Sequence, residues 1–272
     1  MFFYLNLHFC QLRVSRAPMD GNKKHICQQM KNSIIINREI WNEKHDWKKN
    51  GDEWDGQARK CKVDYEYWKQ SLVQNLILSN IPKNDTVLEI GAGHGRWSVF
   101  LAKTAGTLIL VDLSPNCIEF CRNLFVNRSN VMYVLNDGKT LAGVKDASVD
   151  FIWSFDTFVH IEKSVINSYM QEIFRVLKPG GRAIIHHPGR NHFLLWLGFM
   201  RHLGNMGNRF YRTISMCRTR DTDGWRSNIS KQMVRNLASK NGLTIIDQLQ
   251  FWDEKEKIGV PRFNDYITIL RK

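Results

Sequence analysis

At 272 residues, 43% hydrophobic and 24% charged, the chain suits one large globular domain with additions, or a domain with a small lid. Its net charge of +13 points to anionic partners: nucleic acid, phosphorylated or nucleotide-linked small molecules, or an acidic membrane surface. No apolar run reaches the ~18–20 residues needed to cross a bilayer, so no transmembrane segment is expected.

In chain order, Met1–Cys10 is apolar and aromatic but short, and lacks the basic start of a signal peptide. Three readings stay open: a disordered arm, a membrane-touching arm, or an extension upstream of a start at Met19. Residues 1–60 read as an N-terminal extension, partly helical or disordered. They are polar, basic and punctuated by Trp41, Trp47 and Trp54. Tyr65, Trp68, Leu72, Leu76 and Ile77 recur at helical spacing and predict a helix within 64–80.

From Thr86 strands and helices alternate. Strands are expected at Thr86–Ile90, Thr107–Val111, Val131–Leu135, Val149–Ser154 and Arg182–His186. Helices are expected from the glycine turn through about Lys103, then at Pro115–Asn127 and Ser164–Leu177. This rhythm predicts an α/β, Rossmann-like doubly wound sheet, mostly parallel. A stretch of 189–226 follows, aromatic and basic, without an expected strand. A helix at Ser230–Asn241 stops at Gly242, and strands at Leu243–Phe251 and Asp265–Leu270 complete seven strands with an antiparallel C-terminal pair. The domain proper is expected to span 61–272, with 189–226 as a substrate lid.

The six cysteines form no C-x-x-C pair, which argues against a zinc ribbon or a thioredoxin-like site. Reduced thiols in a cytoplasmic protein are the expectation. Cys117 and Cys121 share a helix face.

The densest chemical signal is Glu89-Ile90-Gly91-Ala92-Gly93-His94-Gly95-Arg96, placed between a strand and a helix. Glycines there let the backbone turn tightly and a ligand approach the main chain. A dinucleotide fingerprint needs glycine where Arg96 stands, so the loop is not built for a pyrophosphate. Asp112 closes the second strand, Asn136-Asp137-Gly138 follows the third, Phe155 follows the fourth, and Leu177-Lys178-Pro179-Gly180-Gly181 precedes the fifth.

These features resemble the class I S-adenosylmethionine-dependent methyltransferases. The resemblance covers about 85–188 by motif and 230–272 by topology. It implies S-adenosyl-L-methionine as cofactor, held by Glu89, Gly91, Ala92 and Gly93, by Asp112 and Leu113 at the ribose, by Asp137 and Gly138 at the adenine, and by Phe155. The Trp-rich leader is similar to those of bacterial methyltransferases in sugar and polysaccharide biosynthesis.

Methyl transfer to a hydroxyl needs a base, because the hydroxyl's own pKa lies far above 7. His160 is the candidate, with Asp156 four residues before it as a catalytic partner. Ubiquinone-pathway O-methyltransferases carry a metal-linked acid-x-x-acid-His segment at a similar place. Val159 replaces the second acid here, so a divalent metal on Asp156, His160 and either His186 or His187 is possible without being expected. Strand alternation lets only one of those two histidines face the cleft. The Asn/Asp-Pro-Pro-Tyr/Phe segment of adenine amino methylases is replaced by Ser154-Phe155-Asp156-Thr157. The expected acceptor is a small molecule, anionic or sugar-containing. RNA or DNA methylation, drawn by the basic charge, and a non-catalytic cofactor-binding protein are the alternatives. In 189–226, Arg190, Arg201, Arg209, Arg212, Arg218, Arg220 and Arg226 accompany Phe193, Trp196, Phe199, Phe210, Tyr211 and Trp225, a mixture suited to a sugar, a phosphate or a nucleic acid.

Overall fold

A computed structural model describes residues 34–45, 47, 55–81, 84–189, 227 and 229–272, and the backbone of 220–221 and 224–225. Alternation of apolar residues along the strands builds a seven-stranded sheet with a core on each face. Its strands are β1 (Thr86–Ile90), β2 (Thr107–Asp112), β3 (Val131–Leu135), β4 (Val149–Ser154), β5 (Leu177–His187), β8 (Thr244–Leu249) and β11 (Tyr266–Arg271), in the order β3-β2-β1-β4-β5-β11-β8. The first five are parallel, while β11 runs antiparallel to both β5 and β8.

Val87, Leu108 and Leu110 face one core, shared with Trp68 and Leu72 of α3 (Tyr65–Leu72), Leu101 of α4 (Ser98–Thr104) and Cys121 of α5 (Pro115–Leu124). Leu88, Ile90, Ile109 and Val111 face the other. There they meet α6 (Lys163–Val176), whose buried Val165, Ile166, Tyr169, Met170 and Ile173 form one helical stripe. Val234, Leu237 and Ala238 of α7 (Lys231–Lys240) join the same core.

Helix boundaries follow local chemistry. Ser114 caps α5 by accepting the Cys117 amide at 3.2 Å, and Pro115 starts it. Ser230 caps α7 by accepting the Met233 amide at 3.2 Å, and Gly242 stops that helix at φ +82°. The expected helix at Pro115–Asn127 ends at Leu124, because Phe125 leaves the helical path for the core, only 6% exposed. The helix expected in 64–80 becomes α3 continued by a π-helical segment, Val73–Leu78.

Three strand expectations change. β5 begins at Leu177, since Val149 pairs with Leu177 and Phe151 with Arg182; residues 178–181 bulge out between them, with Gly180 at φ +81°. The strand expected to reach Phe251 divides after Leu249. Phe251–Asp253 (β9) turns away to form a hairpin with Ile258–Gly259 (β10). Within 189–226, where no strand is expected, Arg220–Asp221 (β6) and Gly224–Trp225 (β7) make a short antiparallel ladder. The other expectations for that stretch, and those for Met1–Cys10 and Trp54, fall outside the described residues.

At the N-terminus, residues 34–39 form α1, extended by a π-helical turn at Ile40–Lys44. Two further helices, α2 (Asp55–Cys61) and α3, buttress the sheet. α1 and its extension lie over the carboxyl ends of the central strands. Asn37 donates to the His160 carbonyl at 2.8 Å, and Asn42 accepts from the Ser114 hydroxyl at 2.9 Å and the Asn116 amide at 3.1 Å.

Candidate functional site

Strand order reverses between β1 and β4, and open parallel sheets bind ligands outside the carboxyl ends of strands at such a point. A cavity of about 280 Å³ lies there. The β1 loop, the end of β2, the segment after β4 and the N-terminal Trp41 and Trp47 enclose it.

The loop needs its glycines. Gly91 sits at φ +78°, and a Cβ there would fall 1.9 Å from Thr157 Oγ1. Gly93 sits at φ +53°, where a Cβ would meet the Trp47 indole at 2.8 Å. The Gly91 amide donates to the Val111 carbonyl at 2.8 Å, folding the loop across β2. Asp112, 6% exposed, accepts from the Gly93 amide at 2.9 Å and the Ser114 amide at 2.8 Å. Burial pushes its carboxyl up, and these amides pull it back. A carboxylate has acceptor sites for about four donors, and with the Leu113 amide also reaching it, acceptor capacity remains for a ligand.

Gly91, Ala92, Gly93, Asp112, Leu113, Phe155, Asp156 and His160 all line the cavity. Glu89, Asp137 and Gly138 do not. Glu89 is buried under the loop, where the Ser98 hydroxyl donates to it; burial pushes its carboxyl up to about 8, against that hydrogen bond and aided by Asp112. Asp137 spends one oxygen on the Lys139 and Thr140 amides and the Thr140 hydroxyl. Burial alone would raise its carboxyl, but these bonds hold it below the ordinary value. Ile34 of α1 covers Gly138.

After β4 the chain is pinned. The Ser154 and Thr157 hydroxyls donate to the Ile90 carbonyl at 2.9 and 3.1 Å. Between them Asp156 adopts φ +68°, a left-handed conformation that costs a non-glycine residue about 1 kcal/mol and persists only when its surroundings enforce it. One Asp156 oxygen lies 3.9 Å from His160 Nε2, and the His160 side chain is 5% exposed.

His186 and His187 diverge as strand alternation requires. His186 stacks on Phe155, with ring centres 4.4 Å apart, and its Nδ1 accepts the Asp156 amide at 3.1 Å. His187 Nε2 faces Thr268 Oγ1 at 2.6 Å, and burial lowers its pKa to about 4. Among the described residues no cluster of three or more His, Cys, Asp or Glu is arranged for a metal.

Some lining residues carry no individual sequence signal. Asn37 reaches the site only through the packing of α1. His94 is sandwiched between Trp47 (4.2 Å, 11°) and Phe120 (3.8 Å, 7°). Burial, then neighbouring His45, lowers its pKa to about 4. Its place inside the glycine loop was the one available hint. Trp41 lies 5.1 Å from His160 and 5.9 Å from Trp47. The Trp-rich leader gave the signal for this aromatic cover. Cys61, Cys117 and Cys121 are free thiols; burial, with Asp112 adding to it, pushes Cys117 up to about 12 and leaves it a poor nucleophile.

Parts of the chain are similar to known proteins. Residues 87–181 match a family described as methyltransferase domain. The demethylmenaquinone methyltransferase of Tropheryma whipplei (strain Twist) is 28% identical over 127 residues, covering 46% of this chain and 50% of that protein. Phosphoethanolamine N-methyltransferase 1 of Zea mays is 30% identical over 107 residues, covering 39% and 21%. The PH0226 protein of Pyrococcus horikoshii OT3 superposes with a TM-score of 0.54 at 22% identity, covering 76% of this chain and 92% of that one. The chain spans a third to a half of the length of the first curated relatives it matches. Residues 87–181 thus match a methyltransferase domain, and the chain has the fold of the class I S-adenosylmethionine-dependent methyltransferases. Among the described residues no helix is long and apolar enough to cross a membrane.

Proposed function

We propose that this chain methylates a hydroxyl of a small, sugar-containing molecule, using S-adenosyl-L-methionine and His160 as general base. The observation that carries the reading is the placement of His160, with Asp156 beside it, in the wall of the cavity that also presents the glycine loop and Asp112. When bound, the cofactor supplies an electrophilic methyl group on a positively charged sulfur.

The residues present fit that cofactor. Gly91 and Gly93 hold the left-handed turns that bring the loop backbone to the cavity, packed under Thr157 and Trp47, and Asp112 offers acceptors to ribose hydroxyls. Ala92, Leu113 and Phe155 supply apolar wall. Glu89 supports the loop from beneath, and Asp137 and Gly138 are assigned to the adenine end. With the methyl passing from sulfur to the acceptor oxygen and the sulfur leaving as a neutral thioether, His160 would take the hydroxyl proton and the Asp156 carboxylate would offset the resulting positive charge. Trp41 and Trp47 offer apolar faces for a sugar ring and exclude water, and Arg96 suits an acidic substituent.

The enclosure by these tryptophans favours a small acceptor over RNA or DNA. Nucleic-acid affinity is expected to stay at background as salt is varied. The test uses radiolabelled cofactor with a panel of sugars and lysate metabolites. His160→Ala should retain cofactor affinity and lose roughly 10²-fold or more in turnover. Wild-type turnover in that variant would remove His160 as base.

A further inference from the structure

Behind the cavity wall lies a second polar pair that the proposed chemistry does not use directly. His186, at the end of β5, and Asp265, just before β11, are both fully buried, with His186 Nε2 3.3 Å from Asp265 Oδ2. Two buried polar side chains in an apolar setting need mutual hydrogen bonds to persist. The other imidazole nitrogen, Nδ1, receives the backbone amide of Asp156 at 3.1 Å.

This pattern specifies the tautomer. An amide N–H can only donate, so Nδ1 must carry a lone pair. The ring proton then resides on Nε2 and points at the Asp265 carboxylate. The hydrogen bond at one imidazole nitrogen sets the protonation of the other. The ring plane is held as well, by stacking on Phe155 at 18°. Asp265 in turn is carried by a tight junction. Gly189 packs so closely on the Asn264 carbonyl that a Cβ would lie 1.8 Å from it, which presses the turn before β11 against the end of β5.

We propose that Asp265 and His186 are positioning residues for the methyl-transfer reaction, holding the Asp156 amide so that its carboxylate is presented to His160. Asp156 sits at φ +68°, where a residue with a side chain stays only if its amide and its neighbours are anchored. Ser154 and Thr157 anchor the flanks on the Ile90 carbonyl. His186 anchors the strained residue itself. Neither Asp265 nor His186 lines the cavity, so both act through Asp156.

The inference rests on His160 as base, and its test separates the two. In nitrogen-15 NMR of the intact wild-type chain, His186 should show a protonated Nε2 and a bare Nδ1. A proton on Nδ1 would overturn the proposal whatever the acceptor. In turnover assays, His186→Leu should lower kcat at least tenfold, with cofactor affinity and acceptor KM within about twofold of wild type. His186→Asn, whose Oδ1 can accept at the position of Nδ1, should recover most of that loss. Equal losses in the Leu and Asn variants, or full kcat in His186→Leu while His160→Ala is impaired, would overturn the positioning role and leave the base intact. Full kcat in His160→Ala would overturn both. If His186→Leu does not fold, the NMR result on the wild type still decides.

Discussion

Replacing Glu89 with glutamine should remove a pH-dependent load from the folded state. Glu89 is 1% exposed beneath the glycine loop, and burial pushes its carboxyl from the ordinary 4.5 to about 8. The folded chain therefore keeps a proton that the unfolded chain releases. Its contribution is most favourable below pH 4.5 and is lost as pH rises through about 8, because the unfolded state binds fewer protons across that window. At 1.36 kcal/mol per pH unit, the whole interval corresponds to about 5 kcal/mol. Glutamine occupies a similar volume, can accept the Ser98 hydroxyl and does not titrate. Unfolding free energy, followed by tryptophan fluorescence in urea at several pH values, should diverge steadily between the two proteins. The advantage of Glu89→Gln over wild type should grow by about 3 kcal/mol between pH 5 and pH 7.5. A constant difference over that range would show that Glu89 ionises normally and would refute the argument.

Two further outcomes concern the cofactor. Asp112→Ala removes the acceptor of the Gly93 amide and the proposed ribose contacts; two charge-assisted hydrogen bonds at about 1.5 kcal/mol each predict a roughly 10²-fold weaker Kd by calorimetry. Unchanged affinity would withdraw the ribose assignment. Trp47→Ala removes the stack on His94, about 1 kcal/mol, so stopped-flow measurements should show cofactor leaving about fivefold faster. Equal off-rates would mean that the tryptophan cover does not retain the ligand.

Much of the architecture was readable before any coordinates. β1 and β4 begin and end where their mainly apolar runs do, because central strands covered on both faces demand such residues, and the edge strand β3 follows its β-branched and aromatic run although part of it is exposed. The glycine loop was equally legible, since left-handed backbone beside a strand leaves few residues able to occupy it. Legibility failed where partners distant in sequence decide. The bulge at 178–181 depends on the pairing of Val149 with Leu177, and the split after Leu249 depends on β9 choosing β10 over the main sheet.

The same division holds in the site. Local sequence was enough to pick out Asp112, Gly91, Gly93 and His160, whose meaning comes from their place at strand ends. It ranked Asp137 and Gly138 with them, although neither lines the cavity. It offered His186 and His187 as equals, and only the antiparallel pairing of β5 with β11 gives His186 the buried Asp265 and turns His187 to Thr268. By itself the sequence determined the resemblance to a methyltransferase domain and the conformation of its glycine loop, because that loop is a backbone conformation encoded within a dozen residues. The tertiary structure alone decided which histidine is held by which acid and which tryptophans close the cavity, because these hydrogen bonds and ring contacts join residues far apart in the chain and arise only once the sheet brings its ends together.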